Sequence, residues 1–108
     1  MLTREIAINI VKEFVSKIQS EGTEIRIAVL FGSFVTNNQN DWSDIDLALV
    51  SDEFTGFGFE DKRSFARINA KNPFSIIHTK TFPSEYFKQG DPFIDQIKKT
   101  GIVIYQKN

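Results

Sequence analysis

The chain has 108 residues, of which 41% are hydrophobic and 25% are charged, and its formal net charge is −1. This length suits one globular domain with a single core, so we expect residues 1–108 to form one domain. The near-neutral charge gives no strong signal for nucleic-acid binding or for a membrane surface. The absence of cysteine excludes disulfides and thiolate metal sites. Because the apolar runs are too short to span a bilayer and the start of the chain lacks the layout of a signal peptide, we expect a cytoplasmic protein.

A long helix is predicted at the start of the sequence, over residues 3–20. Apolar residues recur there every four positions, at Ile6, Ile10, Phe14 and Ile18, with Ala7 and Val11 beside them. This spacing predicts one apolar stripe that packs against the core. Thr3 is suited to cap the start of the helix, and Gly22 is suited to end it.

The rest of the chain predicts strands that alternate with short helices. Apolar and β-branched runs predict strands over residues 25–31, 45–50, 74–82 and 102–105. Short helices are predicted over residues 33–36 and 60–69, and Asp91-Pro92 starts a last helix because Asp caps helices and Pro fits their first turn. The alternation predicts an α/β (α+β) fold in which helices flank a mixed central sheet of about four strands. Two central strands should bury their apolar side chains, namely those of Ile27, Val29, Phe31, Ile45, Leu47 and Leu49.

The most informative motif joins a Gly-Ser pair to two aspartates. Gly32-Ser33 closes one predicted strand, and Asp44 and Asp46 stand at the head of the next. Side chains alternate along a strand, so the two carboxylates point the same way and repel each other. A divalent cation removes this repulsion, and Mg²⁺ prefers oxygen ligands that it shares with phosphates. Since a Gly-Ser turn also offers backbone N–H groups to an anion, the motif predicts a site for a metal-bound nucleoside triphosphate.

A simpler interpretation exists for each half of this motif. Gly32-Ser33 alone is typical of an ordinary turn and helix cap, and Asp44 and Asp46 are compatible with a solvated strand end. However, Asp46 lies inside an apolar run, where an unpaired carboxylate is unfavourable. The combination therefore favours the nucleotide site.

The order apolar-Gly32-Ser33, spacer, Asp44-apolar-Asp46-apolar resembles the DNA polymerase β-like nucleotidyltransferase superfamily, and the small size resembles its minimal (MNT) branch. The resemblance implies a polymerase β-like fold, with Mg²⁺ or Mn²⁺ on Asp44 and Asp46 and the triphosphate, expected to be ATP, on Gly32 and Ser33. It implies transfer of a nucleoside monophosphate to a hydroxyl of a protein or small molecule. Short members of the branch are often paired with a helical HEPN protein as a toxin–antitoxin module. This chain would be the antitoxin-like member, and it is also expected to rely on a partner or on a homo-oligomer for acceptor recognition.

The resemblance further implies a third catalytic carboxylate on a later strand. Residues 74–82 contain no Asp or Glu, and the layout places His78 at that position. A neutral imidazole is a poor ligand for Mg²⁺. Glu60, Asp61 and Glu85 are conceivable replacement acids. Residues 34–37 also provide no Lys or Arg for the triphosphate.

Two functional hypotheses therefore remain. The chain is either a working minimal nucleotidyltransferase or a degenerate module that binds nucleotide or a partner without turnover. The segment 54–59 contains three phenylalanines, and these either anchor a partner or pack into the core.

Overall fold

The structure is a computed structural model that describes residues 2–40 and 43–108. In chain order its helices and strands are α1 (Arg4–Ser20), β1 (Ile27–Phe31), α2 (Ser33–Thr36), β2 (Ile45–Ser51), α3 (Gly58–Lys62), α4 (Ala66–Asn69), a 3₁₀ turn (Phe74–Ile76), β3 (Ile77–Pro83), α5 (Ser84–Gln89), α6 (Pro92–Thr100) and β4 (Ile102–Gln106). Among the described residues, no helix is long and apolar enough to cross a bilayer.

The four strands form one mixed sheet in the order β3-β2-β1-β4. β1 pairs antiparallel with both β2 and β4, whereas β2 and β3 run parallel. The predicted sheet of about four strands flanked by helices is therefore confirmed. In this register Asp46 of β2 lies opposite Phe31 of β1 on one side and His78 of β3 on the other.

Each face of the sheet has its own apolar cluster. Odd-numbered residues of β2 point into the larger cluster, where they pack with α1. Even-numbered residues of β2 and β3 point to the opposite face, where Ala48 and Val50 pack with side chains of α5 and α6. Asp46 and His78 share this second face, because side chains alternate along a strand.

The predicted apolar stripe of α1 is confirmed for four of its six residues. Its buried residues are Ala7, Val11, Phe14, Val15 and Ile18. Ile6 is 45% exposed, and Ile10 is only half-buried. Each step of four residues rotates about 40° beyond a full turn of a helix, so a strict four-residue spacing drifts off one face.

The predicted burial of the central strands holds for four of six residues. Val29, Ile45, Leu47 and Leu49 are buried. Ile27 and Phe31 are half-buried at the two ends of β1. They point to the second face, where the covering helices α5 and α6 are much shorter than α1.

The structure differs from the predicted helices and strands in three places. The helix expected over residues 60–69 is divided into α3 and α4, because Phe65 leaves the helical conformation between them and is buried. The strand expected from residue 74 begins at Ile77, after the 3₁₀ turn. The sequence did not predict α5, whose six residues bury only Phe87 and are too few to show a periodic pattern.

Candidate nucleotide and metal site

Gly32 links β1 to α2 in a conformation that only glycine adopts easily. Its φ is +82° and its ψ is −149°. A Cβ atom at this position would overlap Oδ2 of Asp46 and would lie 3.1 Å from Cγ of the same side chain. Glycine is therefore required at position 32 for two reasons. Its backbone adopts the conformation of the turn, and the absence of a Cβ atom leaves room for the Asp46 carboxylate.

The single helical turn α2 follows directly from Gly32. The N–H groups of Val35 and Thr36 donate to the Gly32 carbonyl at 3.0 and 3.2 Å. Asn37 then ends the turn with a left-handed conformation, at φ 61°. α2 therefore begins at Ser33, directly after the glycine that lies against the Asp46 carboxylate.

Asp46 and His78 lie side by side on neighbouring strands. His78 Nδ1 is 3.5 Å from Asp46 Oδ1, and the two side chains are 56% and 30% exposed. When the imidazole is protonated, this contact is an ion pair that is accessible to solvent. The structure therefore places His78 next to Asp46, at the position that the sequence layout gave to the third acid.

Asp44 and Lys80 complete the polar surroundings of this pair. Asp44 is exposed and precedes the first residue of β2, two positions before Asp46. Lys80 is exposed on the same face of β3 as His78, two residues further along the strand. These four residues therefore lie along the exposed edge formed by the start of β2 and by β3, and the described contact among them joins Asp46 and His78.

Comparisons with known proteins identify the family of the chain. The family model for "Polymerase beta, Nucleotidyltransferase" matches residues 13–108. The chain belongs to this nucleotidyltransferase family. Its motif, size and fold are consistent with a minimal nucleotidyltransferase.

Two solved structures share the fold. One is a candidate nucleotidyltransferase from Sulfolobus solfataricus, with a TM-score of 0.68, 18% identity, and coverage of 96% of this chain and 84% of that one. The other is described as a toxin–antitoxin with AMP-PNP, with a TM-score of 0.57, 15% identity, and coverage of 90% of this chain and 74% of that one. No curated protein gives a significant match to the sequence.

The nucleotidyltransferase family uses divalent metal, and the donors at this edge suit a cation that is shared with phosphates. Within residues 2–40 and 43–108, no three His, Asp or Glu side chains are grouped closely enough to hold a metal by themselves. Mg²⁺ in phosphoryl-transfer sites is usually bound by only one or two carboxylates, with phosphates and water filling the other positions. Asp46, seated in the space left by the missing Cβ of Gly32, and the nearby Asp44 fit that arrangement.

The replacement acids suggested by the sequence lie elsewhere. Asp61 is buried and accepts hydrogen bonds from the Thr55 N–H at 2.8 Å, the Thr55 hydroxyl at 3.0 Å, the Gly56 N–H at 2.9 Å and the Thr81 hydroxyl at 2.8 Å. Thr81 points to the face opposite His78 and lies about 10 Å further along β3. Asp61 is therefore a structural residue rather than a third acid.

The other two acids are exposed. Glu60 precedes Asp61 on α3. Glu85 lies on α5, beyond the end of β3 that is remote from His78. Neither has a described contact that ties it to Asp46.

The hydrogen bonds also control the ionisation of Asp61. Burial raises the pKa of its carboxyl, but the hydrogen bonds from Thr55, Thr81 and Gly56 together outweigh burial, so the pKa lies below the ordinary value. The side chain is accordingly charged at neutral pH.

Sequence analysis missed one residue beside the Gly-Ser turn. Arg4 of α1 reaches α2 and donates from Nε to the Phe34 carbonyl at 2.9 Å and from Nη2 to the Val35 carbonyl at 2.5 Å. Nη2 also donates to Asn37 Oδ1 at 3.1 Å. Arg4 therefore holds residues 34–37 through their own acceptors, from 30 positions earlier in the chain than Phe34.

Proposed function

We propose that this chain is a minimal nucleotidyltransferase that binds a nucleoside triphosphate, expected to be ATP, with Mg²⁺ or Mn²⁺. It transfers the nucleoside monophosphate to a hydroxyl group of a protein or small molecule. The observation that most strongly supports the proposal is the carboxylate of Asp46, which rests against Gly32 and lies beside His78. Membership of the nucleotidyltransferase family supports the reaction class.

The proposed reaction is an in-line displacement at the α-phosphorus. The acceptor oxygen forms a bond to phosphorus while the bond to the oxygen that bridges toward the β-phosphate breaks, and pyrophosphate leaves with the bonding electrons. When bound, the divalent cation would neutralise triphosphate charge and favour ionisation of the acceptor hydroxyl. The hydroxyl proton passes to the imidazole of His78, and the Asp46 carboxylate stabilises the resulting imidazolium.

Calorimetry with Mg-ATP tests the binding step. We expect wild type to bind, and we expect Asp44→Asn combined with Asp46→Asn to abolish binding because both proposed metal-binding carboxylates are lost. Asp52→Asn is the matched control, since Asp52 is exposed and follows the opposite end of β2. Equal affinity of wild type and the double variant for Mg-ATP would exclude the site.

Turnover is tested with ATP labelled on its α-phosphate. Transfer of label to an acceptor in the presence of Mg²⁺ or Mn²⁺ supports the enzyme. Binding of Mg-ATP without transfer to any acceptor supports the degenerate module instead.

A second candidate function is contact with a protein partner. Phe57 and Phe59 are 72% and 83% exposed at the start of α3, whereas Phe54 is buried and packs 6.3 Å from the ring of Phe65. Of the two alternatives for residues 54–59, core packing therefore holds for Phe54, whereas Phe57 and Phe59 are exposed as the anchor alternative requires. Likeness to the structure described as a toxin–antitoxin supports a partner, for which a helical HEPN protein is the proposed class.

A further inference from the structure

Arg4 makes three described hydrogen bonds to the segment that follows the Gly-Ser turn. Nε and Nη2 reach the consecutive carbonyls of Phe34 and Val35, and Nη2 also reaches the side chain of Asn37. Arg4 itself is half-buried at the start of α1. One guanidinium group therefore joins two helices that are separated by a strand in the sequence.

The chemistry of a one-turn helix explains why such a contact matters. α2 has only four residues, and a single turn is not stable by itself because nucleation is unfavourable. The last carbonyls of a helix have no partners within it. A cation that donates to these carbonyls both satisfies them and interacts favourably with the negative end of the helix dipole.

The contacts of Arg4 also affect the Gly32-Ser33 turn. α2 begins at Ser33, and N–H groups of α2 donate to the Gly32 carbonyl. Movement of α2 would therefore move this turn relative to Asp46. Asn37, the third partner of Arg4, begins the connection toward Asp44. Arg4 thus contacts the part of the chain that leads from Ser33 toward Asp44.

We infer that Arg4 is a positioning residue that fixes the Gly32-Ser33 turn for triphosphate binding without touching the ligand. The inference rests on the proposed nucleotide-binding function. The planar guanidinium is suited to this task because it offers several donors in a fixed geometry, which the single ammonium of lysine does not.

The test compares Arg4→Met, Arg4→Lys and Lys12→Met, each by thermal denaturation and by calorimetry with Mg-ATP. Lys12→Met is the matched control, because it removes one exposed positive charge from the same helix. We expect Arg4→Met to weaken Mg-ATP binding about tenfold, Arg4→Lys to recover part of the affinity, and Lys12→Met to leave it unchanged. Folded Arg4→Met that binds Mg-ATP as tightly as wild type overturns the inference, and so does an equal loss in Lys12→Met, which would indicate a charge effect only.

A second variant covers the case in which Arg4→Met does not fold. Asn37→Gly removes one acceptor of Arg4 and keeps a residue that adopts the left-handed conformation. We expect a loss of affinity of about threefold, and unchanged affinity contradicts the inference.

Hydrogen exchange separates this inference from the proposed function. If Arg4 orders α2, the amides of Val35, Thr36 and Asn38 exchange faster in Arg4→Met than in Lys12→Met. Failure of wild type to bind Mg-ATP overturns the proposed function and with it the effect on affinity. The exchange rates would still show whether Arg4 holds the turn, and equal rates in the two variants reject that as well.

Discussion

The close approach of Asp46 to Gly32 depends on the absence of a side chain at position 32. The space that any other residue at position 32 would fill with Cβ is occupied by the carboxylate of Asp46. The carboxylate lies on the face of the sheet that also carries His78, because side chains alternate along β2. The glycine of the motif therefore shapes the proposed metal site as well as the turn that leads into α2.

His78 gives the most direct test of catalysis at the residue scale. Replacing His78 with Glu places a third carboxylate beside Asp46, and Mg²⁺ prefers oxygen ligands. We expect His78→Glu to raise nucleotidyl transfer with Mg²⁺ roughly tenfold, the scale on which changes around a metal alter its site.

The matched control is His78→Gln, which has the size of glutamate without its charge. This variant should transfer more slowly than wild type, since it removes the proposed proton acceptor. If wild type is active and neither substitution changes its rate, His78 has no part in the reaction.

Among the structural elements, α3 depends on Asp61. The buried carboxylate joins Thr55 and Gly56, which precede α3, to Thr81 of β3. A five-residue helix is thereby attached to the edge strand that carries His78 on its other face. The role of Asp61 is to hold this connection in place.

The replacement Asp61→Asn should destabilise the fold in a pH-dependent way. The pKa of Asp61 is lowered in the folded state, so its stabilising contribution is complete above the ordinary carboxyl pKa of about 4 and is lost as pH falls through the folded value. At pH 7 we expect Asp61→Asn to lower the free energy of unfolding by about 3 kcal/mol, because an amide donates where the backbone N–H groups need an acceptor.

Urea denaturation between pH 7 and pH 2 measures this difference. The gap between wild type and Asp61→Asn should stay constant down to about pH 5 and then shrink with further acidification. Glu60→Gln, an exposed neighbour on the same helix, is the control and should show no comparable gap. A gap that does not change with pH would mean that the charge of Asp61 is unimportant.

Across the whole molecule, the two faces of the sheet are covered unequally. The 17-residue α1 lies on one face, whereas the six and nine residues of α5 and α6 lie on the other. His78 and Lys80 remain exposed on the less covered face. Access to Asp46 is therefore from the side of the sheet where the shorter helices leave room.

Phe57 and Phe59 form the proposed docking surface for a protein partner. We expect the double substitution Phe57→Ser and Phe59→Ser to prevent co-elution with a co-expressed HEPN-type protein in size-exclusion chromatography, because exposed aromatic anchors dominate such contacts. Thermal stability and Mg-ATP affinity should be unchanged, since both rings are mostly in solvent. Phe93→Ser, which removes another exposed ring but on α6, is the control. Co-elution of the double variant would contradict the proposed docking surface.

The sequence predicted the features that depend on neighbouring residues. The alternation of predicted helices and strands was sufficient to predict the mixed sheet, and the Gly-Ser and Asp-x-Asp spacing was sufficient to predict that Gly32 and Asp46 lie close together. The contacts of Arg4 and Asp61 could not be predicted, because they join residues 30 and 20 positions apart through side chains alone. The sequence predicts one helix over residues 60–69 instead of two, because no local sequence signal shows that Phe65 leaves the helical conformation.

The sheet topology also has a consequence for the order in which the site assembles. Gly32 and Asp46 come together through the antiparallel pairing of β1 with β2, which closes a short loop of chain. His78 joins them only through the parallel pairing of β2 with β3, and the sequence separation is more than twice as large. Since longer loops lose more entropy on closure and distant contacts form more slowly, the glycine and the carboxylate should meet early in folding and the histidine late.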